Sequence, residues 1–258
     1  MRTRIAHGQV MAYYGKKLAL IGLTLLSLTL FGCAAVPRAE RDPRDPWQRM
    51  NRVTFRFDMN FYNHVATPVA RTYVRVVPHP IRLGISNFFD NLEYPTVIVN
   101  DLLQGRLKDF ARDTGRLLVN TTLGIGGLFD PAVHLGLPSE HRDFGQTFGK
   151  WGIPTGPYLV LPFLGPSDVR DAVGLVPEEY TTPMHYVQNT WADWGTRGVG
   201  LVNTDTHLQP TIRLIRRAFD PYTFARHAYL AQRKFMVHGM GHENSAEQEL
   251  KELQGGGK

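Results

Sequence analysis

DPWQRMNRVTFRFDMNF, residues 45–61, is the stretch whose reading decides the fold. Trp47, Met50, Val53, Phe57 and Phe61 recur in steps of three or four, which lines one face of an α-helix. Phe55, Met59 and Tyr62 form a second stripe. The apolar arc is therefore wide, as in a helix that is buried or lies in a membrane interface. Asp45-Pro46 in front of it reads as a helix start. The carboxylate can accept from free N–H groups of the first turn, and the fixed φ of proline suits that turn. The pair recurs at Asp42-Pro43, Asp130-Pro131 and Asp220-Pro221, and so punctuates the chain into helices.

Outward from this stretch the same pattern continues. Residues 66–77 and 80–92 have helical spacing, and Pro95 is predicted to open a further helix over 96–104. Residues 106–123 read as a long amphipathic helix, with Leu107, Phe110 and Leu117–Val119 set against Lys108, Asp109, Arg112, Asp113 and Arg116. LGIGGLFD (123–130) lacks the lysine and spacing of a phosphate-binding loop, and reads as a helix end followed by a new start at Asp130-Pro131. Residues 182–202 and 211–235 are predicted helical, the former weakened by Gly195, Gly198 and Gly200. Period-two alternation is nearly absent. The candidate strand YLVLPF (158–163) carries Pro162, which disfavours a central strand. The expected fold class is all-α.

The N-terminal region reads differently. LALIGLTLLSLTLF (18–31) follows Lys16-Lys17 and precedes Gly32-Cys33. At about 1.5 Å per residue this run makes roughly 21 Å of helix, short of a ~30 Å hydrocarbon core, and so indicates an export signal rather than a membrane span. Leu30-Phe31-Gly32-Cys33 resembles the bacterial lipobox, which implies a diacylglycerol thioether on Cys33. Cys33 is the only cysteine of the chain, so no internal disulfide competes for it. Ala34, where an aspartate would resemble an inner-membrane retention signal, points to the outer membrane; either Met1 or Met11 can be the start.

The formal charge of +6 is biased by that signal. Removing Arg2, Arg4, Lys16 and Lys17 leaves 25 basic against 23 acidic groups, so a nucleic-acid partner has no electrostatic argument. The organisation expected is a signal over 1–32, a tether over 33–44, one helical domain over 45–240, and a tail over 241–258 whose composition predicts disorder. After the signal no segment reaches eighteen uncharged apolar residues, yet the helices are rich in aromatics. Either the core is rich or part of this surface meets lipid.

Residues 45–105, RLLVNTTLGIGGLFDPA (116–132) and DFGQTFGKWGIPTGPYLVLPFLGPSDVRD (143–171) together resemble the MlaA (VacJ) family of outer-membrane lipoproteins. The likeness runs over 45–235; beyond 181 it rests on helical pattern and Asp220-Pro221-Tyr222. The resemblance implies a ring of amphipathic helices in the inner leaflet of the Gram-negative outer membrane, on its periplasmic face, around an amphipathic channel. It implies removal of mislocalised phospholipid from the outer leaflet and hand-over to a periplasmic lipid-carrier protein of an ABC transport system. It further implies association with a trimeric porin, and no catalytic role, cofactor or metal. Carried over, the channel and its rim fall on Tyr158, Leu159, Val160, Leu161, Phe163, Leu164, Asp168, Arg170 and Asp171. The membrane-level helix carries Phe55, Phe57 and Phe61.

Read from the residues alone, 158–171 is equally a packed loop with Arg170 paired to a neighbouring aspartate, and the three phenylalanines are core. Lys150, beside Trp151, is a solvated lysine or a phosphate contact. Two other functions stay open. A lipid hydrolase would need a nucleophile elbow or a zinc motif, and neither G-x-S-x-G nor H-E-x-x-H occurs. His134, Glu140, His141 and Asp143 nevertheless lie close in sequence, in what reads as a polar loop and helix start. A structural, porin- or envelope-associated lipoprotein without transport activity would share the same anchor.

Overall fold

The computed structural model describes residues 42–187 and 189–238, so Cys33, the signal and the tail from 241 lie outside the described residues. Helix α1, Gln48–Phe61, runs through a π-helical turn, Tyr62–Ala66, directly into α2, Thr67–Val76. The two helices expected from spacing are thus one rod, and the wider turn re-aims the α2 face relative to that of α1. Asp45 does not cap α1 through its side chain. Its carboxylate is fully buried, accepting from Asn51, Tyr222 and Arg226, while its backbone carbonyl receives Gln48 N–H. An arginine 181 positions downstream outbids the local cap.

Helix α3, His79–Leu103, passes through Pro95 without a break, contrary to the expected new start there. Proline inside a helix removes one hydrogen bond and crowds the carbonyl four residues back, at about 3 kcal/mol. Packing overrides that cost. Asn91, Tyr94, Thr96, Val97, Asn100 and Asp101, on both sides of the proline, are buried. Helix α4, Leu107–Thr122, lies along α3. The glycine-rich loop ends it as expected, with Gly126 and Gly127 at positive φ donating to Thr121 and Asn120 carbonyls. Asp130 then caps the short α5, Pro131–His134, through Val133 N–H.

Helix α6, Phe144–Lys150, is capped by Asp143; strands β1, Tyr158–Leu161, and β2, Gly165–Asp168, form an antiparallel hairpin. Pro162 stands just beyond β1, in the turn, where no ladder bond is lost. Helices α7, Val169–Thr181, capped by Asp168, a 3₁₀ turn Pro183–Tyr186, α8, Thr190–Arg217, and α9, Pro221–His238, complete the described chain. The start expected at Thr211 is absent because α8 absorbs Pro210; the break falls at Asp220-Pro221, whose carboxylate accepts Tyr222 and Thr223 N–H. Gly200 on α8 leaves room for the Phe89 ring of α3, 2.9 Å from where a Cβ would stand. The protein is thus predominantly helical, with the hairpin as its only sheet among the described residues.

Helix α3 packs on α8, α8 on α9, α9 on α6, α6 on α7, and α7 returns to α3, so these elements close a circuit. The apolar core sits to one side, where Phe55 of α1, Tyr158 and Val160 of β1, Ile212 and Ile215 of α8, and Tyr222 and Ala225 of α9 meet.

Candidate functional site

Polar and apolar residues are distributed against the rule for a water-soluble chain. Asp45, Asn51, Asp101, Asp113, Asp168 and Arg116 are each no more than 2% exposed. Leu107, Leu118, Leu123, Ile125, Leu164 and Leu201 are each at least 60% exposed. Scattered exposed apolar residues need no explanation, but this many beside buried charged groups fit a surface that meets lipid or a partner. No described helix is long and apolar enough to cross a membrane.

Two groups of residues singled out separately in the sequence meet on that surface. The Phe163 ring, at the hairpin tip, stacks edge-on to Phe57 at 5.2 Å and to Phe61 at 5.1 Å between centroids. Phe57, Phe163 and Leu164 are exposed and Phe61 is half-buried. Asp58 holds the tip from below, accepting Phe163 N–H at 2.9 Å. Phe163 has φ +67, a left-handed conformation that a bulky residue adopts only under constraint.

The other carried-over residues form the frame behind this tip. Tyr158, Val160 and Phe55 are core, while Leu159 and Leu161 are half-buried. Asn51 of α1 is the hinge pin: its amide donates to the Tyr158 carbonyl at 3.0 Å and accepts Val160 N–H at 3.0 Å, so one side chain replaces a missing neighbour strand. Arg170 pairs with Asp171 at 2.8 Å, the neighbouring-aspartate pairing. Arg233 of α9 bridges Asp171 to Asp143, donating to the latter at 2.6 and 2.8 Å. Burial raises the Asp143 carboxyl, but these bonds outweigh it and hold it at about 2. The Asp168 carboxyl goes the other way, pushed up to about 6 by burial and by Asp171. Tyr158, Val160, Asp168 and Arg170 are thus enclosed by protein, and of the carried-over channel residues it is Phe163 and Leu164 that stand in the open. Lys150 is exposed; Trp151 beside it donates to the Leu103 carbonyl at 3.1 Å.

A second group, which sequence reasoning missed, gathers where α3 and α7 meet. Asp90 and Glu93 of α3 are exposed side chains, yet removal from bulk water raises both carboxyls. Asp90 lines a small cavity of about 50 Å³ with Tyr94, Arg116, Asp130 and Ser139. Glu178 of α7 is pushed up to about 7, first by desolvation and then by Asp143, with Glu93 adding to the push and His141 and Arg233 opposing it. His141 lies 3.5 Å from Glu93. Charged groups from α3, α7, α9 and the segment before α6 thus lie close enough to act on one another.

Beside them, Arg116 of α4 donates to Tyr94 Oη at 2.6 Å and Asp130 at 2.7 Å, and to the Leu137 carbonyl. Asp101 and Asp113 are both fully buried; burial first, then Asp113, lifts Asp101 to about 7. The signal for this polar seam was present but faint: Asn87, Asn91, Tyr94 and Asp101 share one face of an otherwise apolar helix.

The residues close in sequence near 134–143 part company in space. Glu140 pairs with Arg112 at 3.0 Å and with Arg142, Asp143 caps α6, His141 faces Glu93, and His134 is exposed on α5. No group of three or more metal-binding side chains forms among the described residues.

A family model described as MlaA lipoprotein matches residues 43–236. The chain is 34% identical over 232 residues to proteins of Escherichia coli (strain K12) and Shigella flexneri, each named intermembrane phospholipid transport system lipoprotein MlaA. Each alignment covers 86% of this chain and 90% of the relative. A chain solved in work on the structural basis for maintenance of bacterial outer membrane lipid asymmetry superposes with TM-score 0.68 at 34% identity, covering 77% of this chain and all of that one. Matched along its helical body in both sequence and shape, the chain belongs to the MlaA lipoprotein family.

Proposed function

We propose that this protein removes mislocalised phospholipid from the outer leaflet of a Gram-negative outer membrane and passes it to a periplasmic lipid carrier of an ABC transport system, so maintaining lipid asymmetry. The observation that carries the reading is the inverted distribution of side chains: apolar outside, charged inside. A phospholipid crossing a leaflet needs apolar surroundings for its chains and polar groups for its head. The exposed leucines and valines supply the first; Asp90, Glu93, Glu178 and His141, which act on one another electrostatically, supply the second.

In this reading Cys33 carries the acyl anchor and the protein lies at the periplasmic face, beside a trimeric porin. The Phe57, Phe61, Phe163 and Leu164 cluster sits at the level of the acyl chains. Tyr158, Leu159, Val160, Leu161, Asp168, Arg170, Asp171 and Phe55 frame the path by holding the hairpin. Lipid runs downhill through it in this reading, and direction comes from the carrier. The test is deletion of the gene followed by chemical labelling of surface phospholipid. A rise in surface phospholipid, with loss of detergent resistance, is expected. Unchanged labelling and intact resistance sink the transport reading and leave a structural lipoprotein.

A further inference from the structure

Between α2 and the second half of α8 lies a cleft of about 450 Å³. Arg71, Arg75, Arg82, His207 and Arg213 line it, and no described carboxylate does. The contrast with the rest of the molecule is informative. Arg52, Arg112, Arg116, Arg170, Arg226 and Arg233 each hold a carboxylate within 3.0 Å. In the cleft, Arg82 donates only to the Val77 carbonyl, His207 meets Ser86, and Arg71, Arg75 and Arg213 make no ion pair among the described residues. Arg71 and Arg75, four apart on one helix face, repel each other, and a concave wall concentrates that repulsion. The arrangement is stable when an anion enters.

The surroundings say which anion. Ala70, Val74 and Pro210 form an apolar floor, and Val76, Ile81 and Leu83, close by in the chain, are exposed at 72, 56 and 46%. Guanidinium groups match phosphate oxygens in pairs. A phosphate seated between arginines, with apolar side chains running away from it, is the geometry of a lipid head at the edge of its chains. We propose that this cleft binds the phosphate of a phospholipid head group, a docking site for the lipid apart from the acidic group where α3 and α7 meet. The inference rests on the transport reading above.

The test is titration of spin-labelled phosphatidylglycerol into the full-length protein in dodecyl maltoside, wild type against the double variant Arg75→Gln/Arg213→Gln. Both arginines are exposed and make no ion pair among the described residues, so the fold should persist, and an unchanged thermal midpoint checks that. About a tenfold loss of affinity is expected, restored only in part by Arg75→Lys/Arg213→Lys, which returns the charge without the paired donors, with excess inorganic phosphate displacing little of the lipid. Equal affinity in wild type and glutamine variant overturns the cleft and leaves the transport reading standing. Displacement by inorganic phosphate as effective as by lipid assigns the site to free phosphate instead. A wild type that binds no phospholipid at all sinks both.

Discussion

Single side chains in this protein carry loads that most folds spread over several. Asn51 satisfies both faces of the β1 edge and the buried Asp45 at once. Asn51→Leu keeps the volume but orphans Val160 N–H and the Tyr158 carbonyl; at about 1–3 kcal/mol for each unsatisfied buried group the thermal midpoint in detergent should drop by many degrees. Asp101 makes a different prediction. Its carboxyl titrates at about 7 when folded and near 3.9 when unfolded, so the folded state binds the extra proton between those values. Stability on this account is full below about pH 4 and is lost as pH rises to about 7. Glu178, at about 7, and Asp168, at about 6, add in the same direction, whereas Asp143, held at about 2, loses its contribution only as pH falls below about 4. Melting should therefore occur at higher temperature at pH 5 than at pH 8. Asp101→Asn should narrow that gap chiefly by raising the pH 8 value; an unaltered gap would contradict the raised Asp101 carboxyl.

Elements were legible wherever a local rule faced no distant competitor. The Asp130-Pro131 start, the glycine-rich stop and the long amphipathic α4 all stand where the sequence put them, while the Asp220-Pro221 break falls inside the helix expected over 211–235. Failures have a common cause. Pro95 and Pro210 lie inside helices because tertiary burial on both sides outweighs a lost hydrogen bond, and Asp45 abandons its cap for Arg226. The candidate site divides the same way: Phe57, Phe61 and Phe163 could be picked out one by one, but Asp90, Glu93 and Glu178 come together only because α3 and α7 meet. The hairpin tip offers a direct test. Phe163→Asn preserves tolerance of positive φ while removing the ring, so the fold should survive. Lipid delivery to a carrier in reconstituted vesicles should fall several-fold, and an unimpaired rate would remove the tip from the path.

Considered whole, the molecule answers a question its N-terminus raised. The acyl chains proposed on Cys33 would attach at roughly 0.8 kcal/mol per buried methylene, and in the same proposal the exposed apolar helices offer lipid a second surface. Cys33→Ser should therefore missort and either stay with membranes or aggregate. A monodisperse, water-soluble Cys33→Ser protein would show that the apolar surface is covered in some other way.

The inversion of side chains also reverses the usual geography of mutational tolerance. In a protein bathed by water, exposed positions accept nearly any polar replacement and the interior accepts only greasy ones. Here Leu118, Leu123 and Leu201 should trade freely with isoleucine, valine or phenylalanine and refuse lysine, while Asn100 and Asp113 should refuse almost everything. Drift within the lineage would then preserve the oiliness of the rind and the spelling of the pith.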